Sequence, residues 1–209
     1  WGFTNTGFDV IDMQPHEPGT LTATDRTEII EVRGGDNATI TFRDTDDGPV
    51  LDPEYFDLDI FGEQDVVLVS TALSGENRVA DVSLRLMLSQ NWDEFVEAGR
   101  GFTAPMQNMH YAHVDGTIGY TTTGLLPIRG EDGDWIGYVP YDDLPRVENP
   151  ASGRVASGNN RITPDNYPYD TPGTYAAYRA ERIDQRLNEV STHTPESFHD
   201  IQMDRISAQ

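Results

Sequence analysis

Asn159 and Asn160 follow a glycine in a Gly-Asn-Asn run, and their side-chain amides are among the groups of this sequence that could take part in chemistry. A side-chain amide donates hydrogen bonds without titrating, which suits it to stabilise a developing negative charge. Such pairs are also typical of turns in which each amide bonds to its own backbone. The run alone leaves both interpretations open.

Sequence patterns typical of catalytic nucleophiles or of histidine metal sites are weak. The five histidines show no HExxH or similar ligand spacing, and His110 and His113 flank a predicted strand, where a packing or surface role is expected. The run Ser191-Thr192-His193 forms no catalytic set with the acidic loops. The absence of cysteine excludes disulfides and thiolate metal sites.

The charge balance is strongly acidic. Asp and Glu number 36 against 14 positive residues, giving a formal net charge of -22, and every positive residue is an arginine. Concentrated salt screens such repulsion within roughly 3 Å at 1 M, so this composition indicates a halophilic source; a merely acidic protein is the alternative. The same charge predicts no nucleic-acid partner and no anionic membrane, and no apolar run approaches a membrane span of ~20 residues.

The elements that must position these residues read as mixed α+β with mostly antiparallel strands. We expect one hairpin from TEIIEVRGG and NATITFRDT, a second around Asp115-Gly116, and single strands at DVVLVSTAL and RVASG. The opening WGFTNTGFDVIDMQPHEPG reads as loop and turn. No repeat or linker divides the chain, so residues 1–209 are predicted to be a single piece.

Helical spacing is expected in residues 77–100, with Asn91 as an N-cap, and in AAYRAERIDQRLNEV. In the latter, one buried face is predicted from Ala177, Ile183, Leu187 and Val190. A last helix should begin at Thr194, with Pro195 at its first position, and run to the chain end.

Four stretches in register resemble the β-subunit of penicillin acylases, which are N-terminal-nucleophile hydrolases. They are WGFTNTGFDVID, FTAPMQNMHYAHVDGTIGYTTTGLLPIR, the run from DWIGYVPYDDLP to NYPY followed by YRAERI, and the closing IQMD. Together they cover most of the chain in the family's order.

The resemblance implies a portion of the four-layer αββα sandwich, with residues 1–209 as an internal fragment of the β-subunit. The family's nucleophile is a serine exposed at the β-subunit N-terminus by autoproteolysis, and it would lie upstream of Trp1. The parent would hydrolyse an acyl amide such as a β-lactam, an acyl-homoserine lactone or an unrelated amide, and the fragment alone would be inactive.

The resemblance also assigns roles to three residues. Asn159 matches the asparagine whose amide points at the tetrahedral oxyanion, and the backbone N–H of Asn5 matches the second donor. Arg182, the second arginine of YRAERI, matches an arginine that holds the catalytic geometry.

A structural calcium ion is implied at Asp9, the Ile11 carbonyl and Asp12, with Asp170 close to a further ligand position. Carboxylate and carbonyl oxygens on a short loop suit this hard cation, which prefers six to eight oxygen ligands at about 2.3–2.6 Å.

The implied partners are an acyl-amide substrate, the missing α-subunit and the rest of the β-subunit. Because the fragment exposes faces that those parts would cover, we expect it to self-associate. Family members commonly act outside the cytoplasm, so the same location is expected here. The alternative function is a non-catalytic, calcium- or salt-stabilised binding module on the same scaffold. A precursor without Ser, Thr or Cys at the nucleophile position upstream of Trp1 would favour that alternative.

Overall fold

The computed structural model describes residues 1–75, 78–173 and 175–206, and the chain divides into two compact units. The larger unit comprises residues 1–10 and 76–209, and the smaller comprises residues 11–75. No helix among the described residues is long and apolar enough to cross a membrane.

The strands are short and all of their pairings are antiparallel. In chain order they are β1 Gly2–Asn5, β2 Ile11–His16, β3 Thr24–Ile30, β4 Ala38–Asp44, β5 Pro49–Val50, β6 Asp65–Ser70, β7 Gln107–Ala112, β8 Ile118–Thr123, β9 Pro127–Arg129, β10 Trp135–Tyr138 and β11 Arg146–Glu148. The helices are α1 Val79–Leu88, α2 Trp92–Gly99, α3 Tyr178–Leu187 and α4 Pro195–Gln202.

The larger unit is built on a four-stranded sheet with the order β1-β7-β8-β11. Helices α1 and α2 bury their apolar residues against it, where Phe95 of α2 meets Tyr111 of β7 with ring centroids 4.9 Å apart. Asn91 caps the N-terminus of α2. Its side-chain oxygen accepts the Glu94 N–H at 2.9 Å and satisfies an otherwise unpaired helix donor. This packing covers the two inner strands of the sheet, β7 and β8.

A second core holds the segment that follows β1. Phe8 is buried with Met106 and Leu126, and its ring meets the Tyr175 ring edge-on at 6.4 Å. The Asp9 N–H also donates to the Pro172 carbonyl at 2.7 Å. The end of β1 is therefore fixed to the chain that leads into α3.

The smaller unit is a five-stranded sheet with the order β2-β6-β5-β4-β3. Its core consists of Leu51, Leu58 and Val66, with Phe61 and Leu68 packed beside them. Strand β3 is exposed along its whole length, so only the centre of this sheet is well covered.

Several sequence predictions are confirmed. Strands β3 and β4 form the first predicted hairpin, β7 and β8 form the second, and β6 lies in the predicted strand. Asn91 caps α2 as expected. Thr194 begins α4 with a capping box and with Pro195 at the first helical position.

Other predictions were wrong. The opening segment contains β1 and β2, and the stretch between the second hairpin and RVASG, where no strand was expected, contains β9, β10 and β11. Residues 154–158 form no strand: Arg154 instead donates to the Asn188 side chain at 2.7 Å. Helix α4 ends at Gln202, well before the chain end. Asn77, where the first helical stretch was predicted to start, lies outside the described residues.

The predicted buried face of α3 is only partly correct. Leu187 is buried, but Ala177 and Val190 are exposed and Ile183 is half-buried. The helix is also shorter than predicted, so that Ala177 and Val190 lie outside α3.

Candidate functional site

The end of strand β1 presents backbone polar groups along an open sheet edge. Asn5 lies opposite Gln107, and the next pair is bonded, with the Thr6 N–H donating to the Met106 carbonyl at 3.3 Å. Bonded and non-bonded pairs alternate in an antiparallel ladder, so the N–H and C=O of Asn5 point away from β7. Because β1 is the outer strand, both groups face the outer edge of the sheet.

The Asn159 side chain lies at this edge. Its Nδ2 donates to the Asn5 carbonyl oxygen at 2.8 Å, across 154 residues of chain. The N–H and C=O of one strand residue share a side, so the Asn159 amide lies on the same edge as the Asn5 N–H. The structure thus brings together Asn5 and Asn159, the two residues to which the family resemblance assigns the oxyanion donors.

The backbone around both asparagines is fixed locally. The Asn5 side-chain oxygen accepts the Gly7 N–H at 2.7 Å, forming the turn that ends β1. Asn159 has a φ of 62°, a left-handed conformation that asparagine adopts more readily than other non-glycine residues. Its N–H donates to the Ser157 hydroxyl at 3.3 Å.

A hydrogen-bonded chain of side chains supports Ser157 from the sheet. Thr4 donates its hydroxyl hydrogen to the Ser157 Oγ at 2.9 Å, and the His110 Nε2 lies 3.2 Å from the same Thr4 oxygen. Since that hydroxyl has only one hydrogen, His110 is the donor in its own contact. Burial lowers the pKa of His110, which favours the neutral ring at neutral pH.

The Asn159 loop rests directly on the first turn of α3. A Cβ atom at Gly158 would lie 2.6 Å from the Ala180 backbone nitrogen, a distance that only glycine avoids. Arg179, in that same turn, donates through its Nη2 to the Asn159 Oδ1 at 2.8 Å. The sequence prediction missed Arg179, although it stands three residues before the arginine that was chosen.

Arg182 has different partners. It donates to the Asp204 Oδ2 through Nε at 3.0 Å and through Nη2 at 2.6 Å, and to the Gln185 side chain at 2.7 Å. The Ile206 N–H and Arg182 hold the pKa of Asp204 below its ordinary value. These contacts of Arg182 join α3 to the segment after α4, and its predicted catalytic role stays a prediction.

The predicted calcium ligands are divided between the units. Ile11 and Asp12 begin β2 of the smaller unit, where they lie opposite Ser70 and Val69. No group of three or more His, Asp or Glu side chains that could hold a metal ion occurs among the described residues.

Asp9 and Asp170 belong to the larger unit, where Arg129 contacts Asp9. Its Nη2 donates to the Asp9 carbonyl at 3.2 Å and lies 3.8 Å from the Asp9 Oδ2. Arg129 and Asp170 both line a cavity of about 160 Å³. As placed, these residues do not by themselves fit the oxygen shell of a calcium ion, which stays a prediction.

Comparisons of this chain with family models and with known proteins agree on one family. The family model described as "Penicillin amidase" matches residues 1–209. Penicillin acylase 2 proenzyme from Pseudomonas sp. (strain SE83) is 29% identical over 175 residues, covering 78% of this chain and 22% of the relative. Penicillin G acylase from Escherichia coli is 29% identical over 192 residues, covering 84% of this chain and 22% of the relative.

Two further comparisons extend this result. Acyl-homoserine lactone acylase QuiP from Pseudomonas fluorescens is 30% identical over 121 residues, covering 52% of this chain and 15% of the relative. The solved thermostable penicillin G acylase from Alcaligenes faecalis matches with a TM-score of 0.77 at 23% identity, over 96% of this chain and 40% of that one. The fold is thus a mixed α+β piece of the penicillin acylase fold.

Proposed function

The chain belongs to the penicillin amidase family, and from this membership we propose that it is one part of an acylase that hydrolyses the amide between an acyl group and an amine. The chain spans about a fifth of the length of the penicillin acylases from Pseudomonas sp. and Escherichia coli, 22% in each case. The nucleophile in this proposal is a serine outside residues 1–209, freed at a chain N-terminus by self-cleavage, with its own α-amino group as base.

The observation that carries the proposal is the contact between Asn159 and Asn5. An amide nitrogen has two hydrogens: one bonds to the Asn5 carbonyl at 2.8 Å, and the other can donate to a substrate oxygen. The Asn5 N–H faces the same sheet edge. Two donors on one edge suit the oxyanion that forms when a nucleophile attacks an amide carbonyl.

The role of each donor follows from its chemistry. Neither group titrates near neutral pH, so both are ready to donate whenever substrate binds. Both are also held before the reaction, Asn5 by the sheet and Asn159 by its contacts, and donors that need no reorganisation stabilise the transition state most effectively.

The substrate class is an acyl amide. The relatives are named as acylases of penicillin and of acyl-homoserine lactones, so we propose a β-lactam or an acyl-homoserine lactone as the first substrates to test. Catalysis requires the complete protein, and residues 1–209 alone should be inactive.

The test is expression of the complete precursor. We expect mass spectrometry to detect a self-cleaved chain that begins with serine, and we expect hydrolysis of a penicillin or of an acyl-homoserine lactone. An intact, uncleaved precursor that hydrolyses neither of them would favour the non-catalytic binding module instead.

Substitution of the two neighbouring amides sharpens the test. Asn159→Ala should lower kcat by about 10²–10³, the usual effect of losing one oxyanion donor. Asn160→Ala is the matched control, because among the described residues the Asn160 side chain bonds within its own turn, accepting the Gly158 N–H at 3.1 Å and donating to the Arg161 carbonyl. Equal losses in the two variants would contradict the role of Asn159.

A further inference from the structure

A row of three polar side chains crosses the four-stranded sheet of the larger unit and ends at β1. Thr4 of β1 lies opposite Asn108 of β7, and Asn108 lies opposite Thr122 of β8, so the three side chains share one face of the sheet. Asn108 and Thr122 are only 1% and 0% exposed. Polar groups buried this deeply are costly unless they are hydrogen-bonded.

The bonds of this row lead from the middle of the sheet to the candidate site. The Thr122 hydroxyl donates to the Asn108 Oδ1 at 3.0 Å, and the Asn108 Nδ2 lies 3.5 Å from the Thr4 Oγ1. The Thr4 hydroxyl then donates to the Ser157 Oγ at 2.9 Å, and the Asn159 N–H donates to the same oxygen at 3.3 Å. The row therefore connects two buried strands to the loop that carries Asn159.

The direction of the Thr4 hydroxyl follows from its hydrogen-bonding capacity. A hydroxyl group has one hydrogen and two acceptor positions. The Asn108 amide and the His110 ring occupy the acceptor positions, the ring through its Nε2 at 3.2 Å. The single hydrogen is used in the bond to Ser157. All three positions of this hydroxyl are therefore occupied, and its bond to Ser157 is supported from two sides by β7.

Thr4 and Ser157 both stand next to the proposed oxyanion donors along the chain. Thr4 directly precedes Asn5, and Ser157 stands two residues before Asn159. From these contacts we propose that Thr4 is a positioning residue of the oxyanion site, because its bond to Ser157 sets the distance between the Asn159 loop and the edge of β1. The inference rests on the proposed acylase function and adds a residue that acts through Ser157.

This bond matters because the two donors come from distant parts of the chain. Displacement of a catalytic group by about 1 Å can cost on the order of 10² in rate. Asn159 keeps its own bond to the Asn5 carbonyl when Thr4 is altered, so we expect only part of that loss, about tenfold. Oxyanion donors act mainly in the transition state, so kcat should change more than KM.

The experiment compares variants of the complete acylase. Thr4→Val replaces the hydroxyl with a methyl group and should lower kcat about tenfold, with KM changed by less than about twofold. Thr4→Ser keeps the hydroxyl and should restore most of the rate. Thr27→Val is the matched control: it removes a contact of the same type, between the Thr27 and Thr41 hydroxyls at 3.2 Å, and should leave kcat within about twofold.

A double variant tests whether Thr4 acts through Ser157. Thr4→Val combined with Ser157→Ala should be no slower than the slower of the two single variants, because both remove the same bond. A further loss in the double variant, an unchanged kcat in Thr4→Val, or a Thr4→Ser protein as slow as Thr4→Val would overturn the proposal. If Asn159→Ala leaves kcat unchanged, the oxyanion role of Asn159 fails, which is a separate result.

Backbone amide hydrogen exchange of the complete protein gives a readout that does not depend on activity. Without the Thr4 hydroxyl the loop should open more often, so the amides of residues 157–160 should exchange faster in Thr4→Val. The amides of β7 should keep their rates, which shows that the sheet is intact, and Thr27→Val should exchange like the parent in both segments. Unchanged exchange of residues 157–160 in Thr4→Val would show that Thr4 does not hold this loop.

Discussion

Asn159 shows how far single residues can be interpreted from sequence. The Gly-Asn-Asn run is equally typical of an ordinary turn, and in part it is one, since Asn160 bonds within the run. What distinguishes Asn159 is its bond to the Asn5 carbonyl, 154 residues away. The family resemblance predicted that Asn159 and Asn5 lie near each other, though not this bond to the carbonyl. Spacing alone could not predict even that, because only the folded chain brings β1 beside the loop.

Arg179 could not be chosen over Arg182 from the sequence. Both arginines lie on one helix, three residues apart, and either could reach a neighbouring loop. The partners decide between them. Asp204, which follows α4, binds Arg182, and Asn159 binds Arg179.

At the same scale, we propose that Asp9 and Asp170 contribute oxygen ligands to a calcium ion in the complete protein, where further ligands join them. Because Arg129 lies 3.8 Å from the Asp9 carboxylate, the ion would have to displace this guanidinium. Asp170→Asn should weaken calcium binding by roughly tenfold, since affinity depends on the number of charged ligands.

Calorimetric titration of the complete protein with CaCl2 measures this effect. Asp165→Asn, an exposed carboxylate in the same loop region, is the control and should bind calcium as the parent does. The proposal fails if the parent protein takes up no calcium.

The elements were predicted well where their signals were local. Turn residues and alternating side chains identified the β3–β4 and β7–β8 hairpins, and capping residues identified the starts of α2 and α4. Strand β1 was missed because Gly2–Asn5 has little strand character of its own and pairs with β7, about a hundred residues later. The residues 154–158 alternate like a strand but find no strand partner.

The junction between α3 and the chain after α4 gives a pH prediction. The Arg182 and Asp204 side chains are 18% and 11% exposed, and the pKa of Asp204 is lowered from its ordinary value of 3.8. A lowered pKa means that the ionised carboxylate contributes stability above about pH 4, and that this contribution disappears as the pH falls through the lowered pKa.

Asp204→Asn should therefore lower the thermal midpoint at pH 7, and the difference from the parent should shrink below pH 3.8. Differential scanning calorimetry across about pH 2.5–7 measures the two midpoints, because that range extends well below the ordinary pKa of the carboxyl group. Asp200→Asn removes an exposed carboxylate of α4 and should change the midpoint little. A difference that persists unchanged at the acid end would contradict this assignment.

The whole molecule is dominated by its charge. A net charge of -22 with arginine as the only positive residue type makes self-repulsion a large destabilising term at low ionic strength. The ion pairs of the surface offset little of it, since exposed pairs contribute about 0–1 kcal/mol each. Composition alone revealed this property, and no detail of the fold was needed.

We propose that the protein is adapted to concentrated salt. Raising NaCl from about 0.1 M to about 2 M shortens the screening length from ~10 Å to a few ångströms, so the thermal midpoint should rise by several degrees. Repeating the series near pH 4, where many carboxylates are protonated, should give a weaker dependence on salt. A midpoint that is insensitive to salt at pH 7 would identify an acidic protein without this adaptation.

The outward-facing edge of β1 has one more consequence. Backbone groups at the rim of a sheet can recruit a strand from a second molecule and start aggregation. By bonding the Asn5 carbonyl, the Asn159 side chain occupies one of these groups and obstructs such intermolecular pairing. Asn159, which is proposed to take part in catalysis, thus also protects solubility. Its substitution should both lower the catalytic rate and increase aggregation.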